Sequence, residues 1–314
     1  MEMQKIVTLT VNPAIDKSAE IDHVAADRKL RCEAPRHEPG GGGINVSRAI
    51  RRLGGNSLAL YPAGGTLGQM LDDLLDQEKV NYRSVSIEGM TRENLTVFEK
   101  SDGRQFRFGM PGPTLREEEW QCCLDELAKI EPKPAYIIAS GSLPPGVPQD
   151  FYARVASLGK DSGSRVVVDS SGEALSAAAR AGVYLLKPNM RELAHLAGHK
   201  IESELEQERV AQDLITNGNA EVVVVSLGAA GALLASAIGL ARLRAPTVKI
   251  VSKIGAGDSM VAGIVLALVR GENLENAVRF GIAAGAAAVM TPGTELCRRE
   301  DAEKLYERIL AGEE

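Results

Sequence analysis

The chain is predicted to be an α/β protein, with a central, mostly parallel sheet covered by helices on both faces and a small β lid beside it. Three observations predict this. Strand-like apolar runs alternate with helix-like runs along most of the sequence, the pattern of βαβ units. The chain has 314 residues, 44% of them apolar, enough for one large core. Two polar, β-leaning excursions interrupt the alternation early, and neither is long enough to be an independent domain.

In chain order, Ile6–Val11 (IVTLTV) is rich in β-branched residues and reads as the first strand. Ile44–Leu53 has helical spacing, with Ile44, Ala49, Ile50 and Leu53 apolar, and Gly54-Gly55 ends it. Leu58–Tyr61 is a short strand and Gly68–Gln77 a helix. Further strands are predicted at Tyr136–Ala139, Val166–Val168, Tyr184–Leu186 and Val222–Val225. Helices at Glu117–Ile130, Gln149–Leu158, Ala174–Ala181 and Glu204–Asn217 separate most of them. Two long helices, near Ala256–Arg270 and Leu274–Met290, are predicted to finish the chain. The excursions cover about residues 16–36 and 90–109, with LTVFEK and RQFRF as their most strand-like parts. They are predicted to pair as a small antiparallel sheet on a single domain spanning 1–314, serving as lid, dimer surface or both.

Bulk properties exclude several classes. The formal charge of −6 disfavours a general nucleic-acid surface, though not a local pocket for a small anion. Cys32, Cys122, Cys123 and Cys297 form no C-x-x-C pair, which suits reduced thiols in a cytoplasmic protein. The N-terminus lacks a long apolar signal region, and no run of about 18 apolar residues predicts a membrane span.

The stretch KIGAGDSMVAG, Lys253–Gly263, is the first chemical candidate. Gly255-Ala256-Gly257 lets a ligand approach successive backbone amides, and a helix starting there aims its positive end at the same place. Asp258 in the first turn is either a base beside that anion hole or a helix-stabilising acid, and the motif alone fits both. PGGGGIN, Pro39–Asn45, is a glycine run before a helix, equally readable as a tight turn. Neither G-x-G-x-x-G after a strand nor a Walker-type loop occurs. Asn45 and Asp16 suit hydrogen bonds to a polyol. Arg48, Arg51 and Arg52 read as a solvated helix face. His195 and His199 lack a third ligand and read as surface histidines, and Trp120 reads as packing.

PGGGGINVSRAIRRLGG early and KIGAGDSMVAG late resemble the two signatures of the ribokinase-like (PfkB) carbohydrate kinases. LKPNMRE, Leu186–Glu192, is similar to the family's K-P-N-x-x-E segment, and VVSLGAAG, Val224–Gly231, to its nucleotide loop. The resemblance runs from about Val7 to Thr294, with the four motifs in the family's order. KLRC…EPGGGGINVSRAI, RFGMPG, SGSLPPGV and VVDSSGEAL place the chain nearest the family's 6-phosphofructokinases. Gly42 stands where 1-phosphofructokinases carry lysine, as GGKGIN, whereas NPAID at Asn12–Asp16 also resembles 1-phosphofructokinase and tagatose-6-phosphate kinase.

The resemblance implies a three-layer ribokinase-like sandwich. It implies ATP-dependent phosphorylation of fructose 6-phosphate at the C1 hydroxyl, with fructose 1-phosphate or tagatose 6-phosphate as alternative substrates. Asp258 would be the general base, and Gly255, Ala256 and Gly257 the cradle for the transferring group. Asp16, Gly41, Asn45 and Ser142 would meet the sugar; Arg92, with Lys29 and Arg31 of the lid, would meet its phosphate. Those lid cations would come from the same or a neighbouring subunit, in a homodimer joined through lid edges. Lys187, Asn189, Ser226, Gly228 and Gly231 would border the nucleotide, and Glu192 would organise Mg²⁺ and its waters. Asn189 and Glu192 also fit a helix capping box. Ser252, Ile254, Ala288, Thr291, Gly293 and Glu295 match the family's K⁺ positions. Lys253 departs from the family's usual threonine: pointing inward it would weaken K⁺ dependence, pointing outward it would be neutral. A non-catalytic sensor of sugar phosphate or nucleotide is the reading from another class; it would be expected had the base or the cradle glycines been lost.

Overall fold

Side-chain alternation along each strand decides which layer a residue joins. The computed structural model describes residues 6–312, beginning with strand β1 (Ile6–Leu9). Val7 and Leu9 of β1 enter one apolar cluster while Ile6 enters another on the opposite face. The chain continues through β2 (Ala14–Ile21), β3 (Arg36–Gly40), α1 (Gly42–Arg52), β4 (Leu58–Ala63), α2 (Gly65–Gln77), β5 (Asn81–Ser86), β6 (Arg92–Glu99) and β7 (Gln105–Phe108). Next come α3 (Glu117–Ala128), β8 (Tyr136–Ser140), α4 (Phe151–Ser162), β9 (Arg165–Asp169), α5 (Gly172–Ala181) and β10 (Val183–Leu186). The last third holds α6 (Met190–Ala197), α7 (Glu204–Thr216), β11 (Ala220–Ser226), β12 (Ala232–Ser236), β13 (Gly239–Leu243), α8 (Ala256–Val269), α9 (Leu274–Val289) and α10 (Arg299–Ala311).

Nine strands form the main sheet in the order β13-β12-β11-β10-β9-β8-β1-β4-β5. Its ladders are parallel from β5 to β11, and β12 and β13 add antiparallel pairs at one edge. Ile137, Val166, Val168, Val223 and Val225 face the side covered by α3–α7. Ile138, Val167, Leu185, Val222 and Val224 face the side covered by α1, α8, α9 and α10. The fold is therefore a three-layer α/β sandwich, with helices on both faces of one mostly parallel sheet, as expected. Among the described residues no helix is long and apolar enough to cross a membrane.

The two excursions join in a second sheet, ordered β3-β2-β6-β7. It is mixed, not antiparallel as expected: β2 and β6 run parallel over eight residue pairs, from Ala14↔Arg92 to Ile21↔Glu99. The chain crosses back through α1, β4, α2 and β5 before β6 begins, and that long connection permits parallel pairing. The chain also ends on a third long helix, α10, where two were expected; its apolar side buries Ala302 and Leu305.

The strand order places the site. After β1 the chain builds β4 and β5 to one side, then β8 and its successors to the other. Such a reversal leaves a crevice beyond the carboxyl ends of the two adjacent strands. Asn12–Asp16 leaves β1 there, and Gly141 leaves β8 beside it.

Candidate active site

Helix α1 enters this crevice without a side-chain cap. A Cβ at Gly42 would stand 2.3 Å from Ser140 Oγ and 2.8 Å from the Gly141 nitrogen, so only glycine fits against the end of β8. The Ile44 amide donates to Thr10 Oγ1 at 2.8 Å. Close packing of the glycine run thus fixes the direction in which Asn45 leaves the helix. Asn45 Nδ2 donates to Asp258 Oδ2 at 3.0 Å.

Asp258 lies in the first turn of α8, whose N-cap Gly255 has φ 73 and no side-chain cap bond. The first amide to bond back along the helix is Ser259 N, to Gly255 O at 2.8 Å. The amides ahead of it have no intrahelical partner, as at any helix start. A Cβ at Gly257 would meet only Lys187, its Nζ at 3.5 Å, so the cradle opens toward that ammonium. Lys187, buried after β10, pairs with Asp169 at the end of β9, Nζ to Oδ1 3.1 Å. Burial pushes the Asp258 carboxyl up to about 7; Asp169 and Asp16 push the same way, while Asn45 and Lys187 pull it back. The Lys187 ammonium is held charged above its ordinary range by Asp169, against the effect of burial.

Asp16 lines the crevice from the small sheet. Its Oδ1 accepts from Asn94 Nδ2 at 2.9 Å, and Gly40 packs so closely that a Cβ there would lie 2.5 Å from the carboxylate. Burial raises the Asp16 pKa, opposed by Asn94 and by the charges of Arg48, Arg92 and Arg107. Gly41, with φ 110, passes over Thr10 and Pro13. Arg92 is held by three carbonyls: Met110 O at 2.8 Å, Asn12 O at 3.0 Å and Pro13 O at 3.4 Å. Ser142 accepts from Asn12 Nδ2 at 3.1 Å, which leaves its own hydroxyl hydrogen available.

Farther along the strand ends, Asn189 caps α6: its side chain accepts from Arg191 N and Glu192 N, and Glu192 Oε2 accepts from Asn189 N at 2.8 Å. The capping box is therefore real, and it leaves Glu192 Oε1 uncommitted. Burial raises the Glu192 pKa, and Asp169 adds to the rise. Ser226 bridges to Asn189 through the backbone, and the turn Gly228–Gly231 follows it.

The loop after α9 folds back on the segment before α8. Ser252 Oγ donates to Gly293 O at 3.1 Å, and Thr291 Oγ1 is within 2.8 Å of Ala288 O and 2.9 Å of Leu296 O. Ile254 N donates to Ser252 Oγ, while Glu295 reaches outward to Arg298. Lys253 is exposed.

Comparison with known proteins assigns the chain to a family. Residues 6–301 match the pfkB family carbohydrate kinase profile. The chain belongs to the pfkB family. It is 47% identical over 303 residues to the ATP-dependent 6-phosphofructokinase isozyme 2 of Mycobacterium tuberculosis, covering 96% of this chain and 89% of that one. It is 33% identical to the 1-phosphofructokinase of Bacillus subtilis, over 92% of this chain and 95% of that one. The crystal structure of phosphofructokinase-2 from Escherichia coli in complex with potassium superposes with a TM-score of 0.95 at 42% identity, covering 98% of this chain and 100% of that one. The same protein has been solved with fructose-6-phosphate and in a tetrameric inhibited form. By family, this chain is an enzyme, a carbohydrate kinase.

In this pfkB chain the structure brings Asp258, the Gly255–Gly257 cradle, Asn45, Lys187 and Asp16 together at one crevice. It does not bring Lys29 or Arg31 there. Both are exposed on the loop between β2 and β3, and the β2–β3 register puts that loop at the far end of the small sheet from Asp16. Two residues of the region, Asp169 and Arg107, were not singled out in the sequence, and a third, Arg48, was misread. Asp169 ends a parallel strand at the carboxyl edge, a position that would have flagged it. Arg107 follows from the β6–β7 register, which places it opposite Thr96. Arg48 is the correction: it is not on a solvated face but fully buried. Glu78 and Glu38 pair with it, at 2.6 and 3.4 Å, and make that burial tolerable. His195 and His199 are exposed, as expected, and Trp120 packs edge-on against Phe151.

Proposed function

We propose that this chain is an ATP-dependent 6-phosphofructokinase that phosphorylates the C1 hydroxyl of fructose 6-phosphate to give fructose 1,6-bisphosphate. The observation that carries this reading is the meeting of Asp258, held by Asn45 at 3.0 Å, with the open amides of α8. A carboxylate with a pKa of about 7 is matched to taking a proton from an alcohol near neutrality. The C1 oxygen gives its proton to Asp258 as it bonds to the γ-phosphorus, and the bond from that phosphorus to the ADP oxygen breaks. The cradle amides and the Lys187 ammonium face the charge that shifts across the phosphoryl group, so they favour the transition state.

Asp16, Gly41 and Asn45 bind the sugar hydroxyls in this reading. Ser142 lines the same cleft, and Arg92, with the field of Arg107, faces the sugar phosphate. Lys29 and Arg31 would serve it from the partner subunit, in a homodimer joined through the small sheet acting as lid of a single domain. Leu30, Phe108 and Met110 are exposed apolar side chains on these segments and suit such a contact. Ser226, Gly228 and Gly231 border the nucleotide with Lys187 and Asn189. Glu192 fits a Mg²⁺ partner: its free oxygen and its repulsion from Asp169 both favour a nearby divalent cation, which supplies charge neutralisation to the ATP phosphates. Ser252, Ile254, Ala288, Thr291, Gly293 and Glu295 fit a K⁺ loop, since their carbonyls keep a second lone pair even where a hydroxyl donates. A cytoplasmic location suits substrates of this kind.

Fructose 1-phosphate and tagatose 6-phosphate kinases keep the same chemistry on another sugar; the lower identity to a 1-phosphofructokinase favours fructose 6-phosphate. The presence and convergence of base and cradle argue against a non-catalytic sensor. The test is ADP formation with ATP and each phosphosugar in turn. Fructose 6-phosphate is expected to give the highest kcat/KM, and a higher value for either alternative overturns the assignment.

A further inference from the structure

Arg48 is fully buried, and its guanidinium makes more contacts than charge neutralisation requires. Its Nε and Nη2 grip Glu78 at 2.9 and 2.6 Å, and Nη2 also reaches Glu38 at 3.4 Å. Its Nη1 donates to Pro39 O at 2.9 Å, Asn45 Oδ1 at 3.3 Å and Thr294 O at 3.4 Å. We propose that Arg48 is a positioning residue for phosphoryl transfer: it locks the Asn45 amide with its nitrogen toward Asp258 and ties that amide to strand β3 and the 291–295 loop.

The argument is one of donors and acceptors. A guanidinium only donates, and a carboxylate only accepts. Asn45 stands between the two, with Oδ1 toward Arg48 and Nδ2 toward Asp258. A flipped amide would set donors against donors on one side and acceptors against acceptors on the other, so the network admits one orientation. Arginine stays charged at any working pH, so this constraint does not lapse. The same guanidinium reaches the small sheet through Glu38 and Pro39. Glu38 Oε2 accepts from Thr294 Oγ1 at 2.5 Å, which adds the loop after α9 to the network. A line of contacts thus runs Thr294–Glu38–Arg48–Asn45–Asp258, joining three separate chain segments to the base. The charged groups around Asp258 are Asp169, Asp16 and Lys187, so Asn45 is the neutral ligand whose orientation Arg48 can set.

This inference rests on Asp258 as the base, which Asp258→Asn tests separately. The experiment is a double-mutant cycle in the full-length enzyme with ATP and fructose 6-phosphate: Arg48→Lys, Asn45→Ala and both together. Lysine keeps the charge but cannot hold the forked geometry. Arg48→Lys is expected to lower kcat by about tenfold through misplacement of the base, with KM for ATP unchanged and the acid limb of the pH profile moved upward. In the Asn45→Ala background the same change is expected to leave kcat unaltered, because Arg48 acts through that amide. An equal fall in both backgrounds, or unchanged kcat in Arg48→Lys, overturns the proposal. Should Arg48→Lys not fold, Glu78→Gln loosens the guanidinium and is read in the same cycle against the same two outcomes.

Discussion

Helices α1 and α8 both follow a glycine N-cap that makes no side-chain cap bond, and they use that freedom oppositely. At α1 the protein fills the space: Gly42 lies against Ser140 and Gly141, and Thr10 takes the Ile44 amide. At α8 the space stays open: Gly257 has only the Lys187 ammonium in view, and an acid stands in the first turn. A glycine-rich helix start is therefore ambiguous in itself. What separates a packing joint from a ligand cradle is whether protein atoms already occupy the ground above the amides.

Substitutions sharpen that contrast. The largest effect is expected at the open cradle. Asp258→Asn should bind both substrates yet lose a factor of at least ~10²–10⁴ in kcat, measured by coupled ADP assay; near-normal turnover removes the assigned base. In the parent enzyme kcat/KM should rise with pH through about 7, as Asp258 loses its proton. The stability sign is opposite. A carboxyl whose folded pKa lies above its unfolded value costs stability as pH rises from about 4 to about 7. Asp258→Asn should therefore melt higher than the parent at pH 8, by up to a few kcal/mol in chemical denaturation, with the gain vanishing near pH 4.

Next come the two glycines compared directly. Gly257→Ala should fold at least as well as the parent, gaining up to about 1 kcal/mol of helix propensity, while kcat falls by about tenfold as the cradle is displaced. Gly42→Ala should do the reverse first, losing about 1–3 kcal/mol in denaturant titration because the new methyl group has no room. Equal stability loss at both sites would erase the distinction between joint and cradle. The smallest effect is expected at Lys253→Ala: the side chain is exposed, so activity with and without K⁺ should match the parent in both conditions.

The core architecture was legible because its strands announce themselves. Runs such as VVVV in β11 are buried on both faces, and only a sheet with helices on each side accommodates that. Asp258, Asn45 and the glycine runs were legible as motifs, since their chemistry depends on near neighbours in sequence. Arg48 was not. RAIRR reads as a wet basic face, and what buries Arg48 comes from Glu78 and Pro39, on segments that no local pattern connects to it. The parallel β2–β6 pairing was hidden for the same reason, because register depends on a crossover through four other elements. Lys29 and Arg31 were chosen by resemblance, and within one chain the register carries them away from the crevice.

One further consequence follows from how the small sheet is attached. Ala14 pairs with Gly40 on one side and with Arg92 on the other, so β2, β3 and β6 all join the body at a single margin. Two of those junctions are Asn12–Pro13, between β1 and β2, and Gly40–Gly41, between β3 and α1. The attachment of the small sheet and the candidate chemistry occupy the same few residues.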